Sequence, residues 1–535
     1  MLERIAVDLT PLLPGGDNGG AKPLALELVR RLAQCAPECE LVLLTTEKSH
    51  RELASLDAAN VRRLCTSQPE NAPAVSRRRA LQVRRLLMKL LPAAAVEKIG
   101  RFYGERLDRE PAGTSLLRQI GADLLFCPFT GVLFFDPAVP AVSLVHDIQF
   151  LYYPEFFEPG DRCQRDRHFR QVCRVASRIV CVSEATRAMV LQHSGLPPDI
   201  GRVVTVLSAP QERLPRSPAN GGRPASRYLL YPANFWRHKN HEMLLAAFGM
   251  YRARFPQSDL KLVLTGAPSA RRDELMAAAR QMGLADWVTF PGYLPDAEFA
   301  ALLASSAAMI FPSLFEGFGM PVLEAMAAGV PVLAGNLTSV PEVAGGAALL
   351  FDPRRPAEIV EAIARLENDP TLRAGLIERG HRRVETFPGP AEMAAGYWHV
   401  FQEAVRHPVE SEPAIYGVFA DGWTSGRVRV VFGRGDGPRR LTVTLQAPAW
   451  IPAAAVTIRV SPNPEVYRIP RGQEAVIARD LPERAGSIEL LCSPTFQPAR
   501  CGAGGDTRPL GCRLASATIV RANGDVQPIQ QADAA

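Results

Sequence analysis

Two glutamates eight positions apart, Glu316 and Glu324, stand in the stretch Ala308–Gly335, which reads AMIFPSLFEGFGMPVLEAMAAGVPVLAG. A carboxylate only accepts hydrogen bonds, which suits hydroxyl-rich partners such as a hexose and a ribose. Between the two carboxylates lie Gly317, Phe318, Gly319 and Met320, a glycine-rich run leading into a helix. Free backbone N–H groups at such a helix start attract phosphate. The local pattern predicts a strand to Phe311, a loop over Pro312–Met320, and Pro321 at the first helical position. Gly329 then ends the helix after Ala328, and the next strand starts at Val330. The loop then lies at the C-terminal end of a parallel strand, where open α/β sheets bind ligands. Taken singly, Glu324 also fits a residue that complements the helix dipole, and Glu316 a solvated loop carboxylate.

The whole string, Glu316-Gly-Phe-Gly-Met-Pro-Val-Leu-Glu324 followed by Ala-Met-Ala-Ala-Gly-Val-Pro-Val, resembles the E-x7-E signature of family 4 retaining glycosyltransferases of GT-B fold. The resemblance covers roughly residues 1–405. It implies that Glu316 binds the transferred sugar, that Glu324 binds the nucleotide ribose, and that backbone amides at Gly317, Phe318, Gly319 and Met320 hold sugar and phosphate. It also implies a donor-sugar role for His146, in the pair His146-Asp147 that follows the strand-like Val142–Val145 and precedes the aromatic stretch Phe150–Phe157. Gly19 and Gly20, closing the run Gly15-Gly-Asp-Asn-Gly-Gly20, match the loop that approaches donor phosphates and acceptor; flexibility alone explains such a loop equally well.

In Tyr231-Pro-Ala-Asn-Phe-Trp-Arg-His-Lys239-Asn240, Lys239 matches the family's diphosphate-binding lysine. Asn234 occupies the position where the family carries an arginine, and Arg237 is the candidate substitute. Tyr293 falls where the family's loop touches the base. By resemblance the chemistry is retaining hexosyl transfer from a nucleotide sugar, with no cofactor and no metal: no Asp-x-Asp motif is present. Similarity of Val145-His-Asp-Ile-Gln-Phe-Leu and Arg237-His-Lys-Asn-His to mannosyltransferases of bacterial surface polysaccharides implies GDP-mannose as donor and a glycan or polyprenol-linked acceptor. Two other readings stay open: a non-catalytic glycan-binding scaffold, and another GT-B enzyme such as a sugar-nucleotide epimerase or phosphorylase. Ser339-Val-Pro-Glu342 reads as a capping box for its own helix.

The elements that position these residues follow from hydrophobic period. Apolar β-branched runs alternate with helix-period segments to about residue 385, the pattern of parallel sheets covered by helices. Strands are expected at Ile5–Leu9, Leu41–Leu44, Leu124–Cys127, Val142–Val145, Ile179–Val182 and Val203–Leu207. Ser183 caps the helix Glu184–His193, which Gly195 ends. A Pro/Arg/Gly/Ser-rich linker at Gln211–Ala225 precedes a second series: Tyr228–Tyr231, Leu260–Thr265, Val288–Phe290, Met309–Phe311 and Val330–Ala334. Beyond Pro408, short alternating strands such as Val428–Phe432, Leu441–Leu445, Val456–Val460 and Ser487–Leu491 indicate a β-sandwich. The expected architecture is α/β: two Rossmann-like domains, 1–210 and 226–407, followed by an autonomous all-β domain at 413–535 with Trp423 and Trp450 as apolar anchors.

A chain of 535 residues, 47% hydrophobic and 22% charged, has the profile of a globular multi-domain protein. Its net charge of +6 is small for its length, and no basic tail argues for nucleic acid. Ten cysteines without C-x-x-C spacing read as reduced, mostly buried thiols. The start Met1-Leu-Glu-Arg-Ile5 lacks a signal-peptide pattern, which predicts a cytoplasmic protein. Basic residues concentrate between Arg77 and Arg109, beside leucines. The part Arg77–Lys89 is a candidate for peripheral contact with an anionic membrane face.

Overall fold

The computed structural model describes residues 2–14, 19–66, 116–196, 201–207, 227–409, 413–419, 421–432, 437–461, 465–482 and 486–531. The basic segment 77–109, the linker 211–225 and residues 15–18 lie outside them. Two compact units result. Of the described residues, one comprises those within 2–66, 123–133 and 141–406; the other comprises those within 116–122, 134–140 and 407–531.

The first unit holds two parallel sheets. Strands β1 (Arg4–Asp8), β2 (Glu40–Thr45), β3 (Val61–Cys65), β4 (Leu124–Cys127), β5 (Ala141–Val145), β6 (Arg178–Cys181) and β7 (Val203–Thr205) run in the order β3-β2-β1-β4-β5-β6-β7. Strands β8 (Tyr228–Pro232), β9 (Lys261–Thr265), β10 (Val288–Gly292), β11 (Ala308–Phe311), β12 (Val332–Gly335) and β13 (Leu349–Phe351) run in the order β10-β9-β8-β11-β12-β13. Strands covered on both faces must be apolar throughout instead of alternating. Accordingly β4, β5, β11 and β12 are buried along their whole lengths. The edge strand β3 escapes that rule: Arg62 and Arg63 interrupt its apolar run, which is why hydrophobic period alone passes over it.

In both sheets the strand order reverses beside the first strand, between β1 and β4 and between β8 and β11. Loops leaving two such strands diverge and open a crevice at their C-terminal ends. Gly19 and Gly20 follow β1, Lys239 follows β8 and Glu316 follows β11, so the topology delivers these residues to the two crevices. The helix Pro390–Arg406 comes after the second sheet in sequence but packs on the first. Its Tyr397 and Phe401 rings stand 5.8 and 5.0 Å from the ring of Phe126 in β4.

The second unit contains a six-stranded and a four-stranded sheet. Their strands are β14 (Ala414–Val418), β15 (Thr424–Phe432), β16 (Arg439–Gln446), β17 (Ala455–Ser461), β18 (Glu465–Pro470), β19 (Glu474–Leu481), β20 (Gly486–Ser493), β21 (Arg513–Arg521), β22 (Val526–Pro528) and β23 (Gln530–Gln531). Val428 and Leu490 of one sheet and Val443 and Ile519 of the other share one core, as in a sandwich. Trp423 and Trp450 pack ring to ring at 5.8 Å, and both are half-buried. The turn Asp506-Thr-Arg508 is explained by its charges: Arg508 binds Asp506 and Asp421 and lies over the Phe419 ring at 4.6 Å.

The sandwich also contacts residues outside 413–535. Buried Asp136 pairs with Arg118 at 2.7 Å and lies 4.0 Å from Arg429 of β15, and Arg118 also donates to Ser487 Oγ at 3.2 Å. Cutting before Pro413 would expose Asp136 and remove Arg429 from its side while leaving its pairing with Arg118 in place. Among the described residues, no helix is long and apolar enough to cross a membrane. All ten cysteines are free, and six are buried.

Asp8, at the end of β1, is buried, and its Oδ1 accepts from Thr10 N and Oγ1 at 3.0 and 2.6 Å. Burial raises its pKa from 3.8 to about 6 against the lowering effect of those bonds. A folded pKa above the unfolded one means that the folded chain retains a proton the unfolded chain has lost. Stability therefore falls as pH rises from about 4 to 6, by up to roughly 3 kcal/mol. Asp8→Asn keeps the Oδ1 acceptor and removes the titration. We expect its melting temperature to exceed wild type at pH 7.5 and its stability to lose that fall between pH 4 and 6; urea melts across that range check this, and an unaltered profile contradicts it.

Candidate donor site

The loop after β11 is fastened at every turn. Glu316 N donates to Thr338 Oγ1 at 3.0 Å, and Ser339 Oγ donates to the carbonyls of Glu316 and Phe318 at 3.0 and 2.8 Å. Ser339 is thus a staple for the loop and makes no side-chain cap to its own helix, Val340–Ala344. Glu342, the other half of the expected capping box, accepts from Glu184 N and Ala185 N at 2.9 and 2.8 Å. It therefore caps the helix Glu184–Ser194 on the first sheet. The box expected at Ser339–Glu342 does not form, because both side chains are committed to longer-range bonds. Ser183 does cap Glu184–Ser194 through Thr186 N, and Gly195 ends that helix at φ +70°, as expected.

Glu316 meets Lys239 at 2.5 Å, and both side chains are only 12% exposed. That overturns the picture of Glu316 as a solvated loop carboxylate. Lys239 Nζ also lies 5.6 Å from the ring centroid of Phe311, a placement that favours a cation. Its backbone is fixed from three sides. Lys239 O accepts from Tyr231 OH at 2.8 Å, Leu314 N bonds His238 O at 2.8 Å, and Asn240 Nδ2 donates to the carbonyls of Pro312 and Pro353 at 3.1 and 2.7 Å. Burial pushes the imidazole of His238 down to a pKa of about 2 and that of His241 to about 3, with Lys239 reinforcing both shifts. Neither ring adds a second positive charge beside Lys239.

Asn234 does not stand in for an arginine: its Oδ1 accepts from Ala267 N at 2.9 Å and holds the turn after β9. Arg237 is exposed at the start of a single 3-10 turn, with its guanidinium unpaired among the described residues. Phe318 is buried edge-on against Phe387 at 5.8 Å, and Gly319 flanks the helix Met320–Ala327 at φ +101°. Among the described residues, the amides of Gly317, Phe318 and Gly319 bond no protein acceptor. They are free donors that follow Glu316 in the chain and lead into the helix Met320–Ala327. Glu324 lies in that helix and is buried, with 4% exposure. Tyr293 follows β10, which is separated from β11 by β9 and β8, and its ring is 65% exposed, so it stands apart from the cluster around Lys239.

His146 belongs to the first sheet, at the end of β5. Its Nε2 is 2.8 Å from Pro128 O, which only accepts, so this nitrogen carries the proton. Burial lowers its pKa, and the ring is neutral with Nδ1 as an acceptor. Gly317 approaches the same segment so closely that a Cβ there would lie 1.7 Å from His146 O. The structure thereby brings His146, Gly317, Glu316 and Lys239 into one cluster. Gly19 meets the second sheet elsewhere: a Cβ on it would lie 2.6 Å from the ring of Trp236, while Gly20 faces open space. Trp236, Thr338 and the long-range bonds of Glu342 carry no local signal in the sequence. A separate cavity of about 400 Å³ lies at the opposite end of the second sheet; its Arg227, Tyr251, Ser258 and Glu367 bond one another and form a structural network.

Comparison with known proteins agrees with this fold. Residues 216–383 match the family described as Glycosyl transferases group 1. The chain is 32% identical over 260 residues to O-antigen chain mannosyltransferase B of Escherichia coli, covering 46% of this chain and 66% of that protein. It is 30% identical over 245 residues to MMP alpha-(1->4)-mannosyltransferase of Mycolicibacterium hassiacum, covering 44% and 56%. The chain thus spans about half to two thirds of the length of such relatives. Sucrose-phosphate synthase of Thermosynechococcus elongatus superposes with a TM-score of 0.54 at 18% identity, over 76% of this chain and 99% of that one. HepE of Anabaena in complex with UDP and glucose gives 0.54 at 16%, over 75% and 99%. The fold is GT-B with an added all-β region, and the matches support a group 1 glycosyltransferase.

The contact at Gly317 makes a direct prediction. Gly317→Ala places a methyl group inside the His146 carbonyl, and either the loop or the sheet end must move. We expect transfer activity to fall by about 100-fold or more, as misplacement by about 1 Å does at reacting centres. Steady-state assay of the purified variant checks this, and wild-type activity in a folded protein contradicts it.

Proposed function

We propose that the chain is a retaining hexosyltransferase that takes the sugar of a nucleotide sugar, with GDP-mannose the first donor to try. It passes the sugar to a glycan or lipid-linked acceptor of bacterial surface polysaccharide, at the cytoplasmic face of the membrane. The observation that carries the reading is the buried Lys239–Glu316 pair set against free amides at a helix start, with neutral His146 close by. The names of the relatives above favour mannose.

In this reading the bond from the anomeric carbon to the diphosphate oxygen breaks, and its electron pair leaves with the diphosphate. Lys239 and the amides of Gly317–Gly319 face that growing charge; fixed donors aimed at developing charge supply much of an enzyme's acceleration. The acceptor oxygen bonds the anomeric carbon on the same face, and its proton passes to the departing phosphate oxygen. Glu316 accepts from sugar hydroxyls, Nδ1 of His146 accepts from another, and Glu324 accepts from the ribose. Arg237 and Tyr293 belong to the nucleotide end. These groups supply the charge the reaction needs, so the reading calls for no metal or cofactor.

The engagement of Asn234 with Ala267, which leaves one cation fewer than the family pattern, favours a second reading as a glycan-binding scaffold. Transfer or donor hydrolysis by pure protein separates the two. A donor stabilises the folded state by mass action, so a nucleotide-sugar panel read by melting temperature identifies it. Glu316→Gln keeps the shape and an oxygen that accepts from Lys239 but removes the compensating charge, so we expect a smaller fall in melting temperature than in Glu316→Ala and a loss of about 10²- to 10³-fold in kcat. Glu316→Ala should also destabilise the protein, because it leaves Lys239 buried without its partner. Near wild-type turnover of Glu316→Gln with its matched donor sinks the assignment.

A further inference from the structure

Ser183 and Thr186 sit in the first turn of the helix Glu184–Ser194, on the first sheet, and both are fully buried. Both hydroxyls reach the second sheet's donor loop and converge on one atom: Ser183 Oγ stands 2.6 Å and Thr186 Oγ1 2.8 Å from the carbonyl oxygen of Gly317. A carbonyl has two lone pairs, and two O–H donors fill them. Beside this bond, the Glu342 carboxylate of the second sheet binds both Glu184 N and Ala185 N. One helix start therefore holds the donor loop from two directions.

We infer that Ser183 and Thr186 are positioning residues that set the Glu316 loop against His146, with Glu342 as the second clamp. The inference rests on the transferase reading for its kinetic consequence. In a trans peptide the carbonyl of Gly317 and the N–H of Phe318 point in opposite directions. Pulling the carbonyl toward the helix turns the Phe318 N–H away from it, toward the side where that amide has no protein partner among the described residues. The same bonds keep Gly317 on the His146 carbonyl, where no side chain fits. Ser183 looks like an ordinary N-cap in the sequence because it is one; it accepts from Thr186 N and donates across the cleft at once.

The test compares Thr186→Val, which keeps the shape and removes the hydroxyl, with Thr186→Ser, which keeps the hydroxyl. Thr186→Val should lower transfer kcat by about 10- to 100-fold, in line with small misplacements of reacting groups. Melting temperature should stay within a few degrees of wild type, since one buried hydrogen bond is lost, and GDP affinity by calorimetry, which draws on the Phe318 amide, should fall by less than kcat does. Thr186→Ser should retain activity. Independently of activity, spin labels on Arg30→Cys and Glu274→Cys, with exposed Cys35 and Cys65 replaced by serine, should report a broader distance distribution in Thr186→Val and not in Thr186→Ser. Unchanged kcat and distances in Thr186→Val overturn the inference, as do equal losses in both variants or a loss that follows melting temperature. If distances broaden as expected while wild type transfers no sugar from any donor, the clamp stands and the transferase reading fails.

Discussion

The carbonyl of Gly317 is the point on which the site turns. At this residue the two parallel sheets of the first unit approach each other through backbone, with His146 on one side and the Glu316 loop on the other. A close backbone approach demands glycine, and a buried carbonyl demands donors, which Ser183 and Thr186 provide. Once that atom is fixed, the direction of the following amides is fixed too. The staple from Ser339 and the bond from Thr338 then leave the loop little freedom. The two loops that carry Lys239 and Glu316 leave neighbouring strands at a switch point, so the sheet supplies coarse placement and these bonds supply the fine one.

The same packing fixes the charges. A lysine or a glutamate with so little exposure would be strongly destabilising if either stood alone. Together they offset each other's charge in a place where water is scarce. The neighbouring imidazoles of His238 and His241 are held neutral by burial, which leaves Lys239 as the cation beside Glu316. The tautomer of His146 is settled as well, since the Pro128 carbonyl decides which nitrogen bears the proton.

Much of this is legible in the sequence, for physical reasons. Fully buried parallel strands read as continuous apolar runs, so β4, β5, β11 and β12 stand out, whereas β3 with Arg62 and Arg63 does not. The loop, cap, helix and strand of residues 308–335 are local, and their order shows in the residues themselves. Ser183 as a cap is equally local. What is not legible is long-range: Glu342 bonds residues more than 150 positions away, and Ser183 reaches 134 positions to Gly317. A motif such as Ser-x-x-Glu fits a capping box and fails to form one when both side chains find better partners elsewhere. The low exposure of Glu316 is hidden for the same reason, because Lys239 is 77 positions away. The sandwich shows in its strands, while its contacts with Asp136 and Arg118 do not.

The unequal legibility of the two sheets also has a chemical cause. The family match covers residues 216–383 and so falls on the second sheet with its Lys239 and Glu316. A diphosphate and a ribose have the same shape and charge whatever sugar is carried, and a site for them converges on amides, a cation and carboxylates. The first sheet offers His146 and Gly19 at its rim, with fewer residues of fixed chemistry. Loops on a rigid sheet vary most where their partners vary most. Under the proposed function, the residues that choose the acceptor are therefore to be sought on the loops after β1, β4 and β5, and not in the motif that first draws the eye.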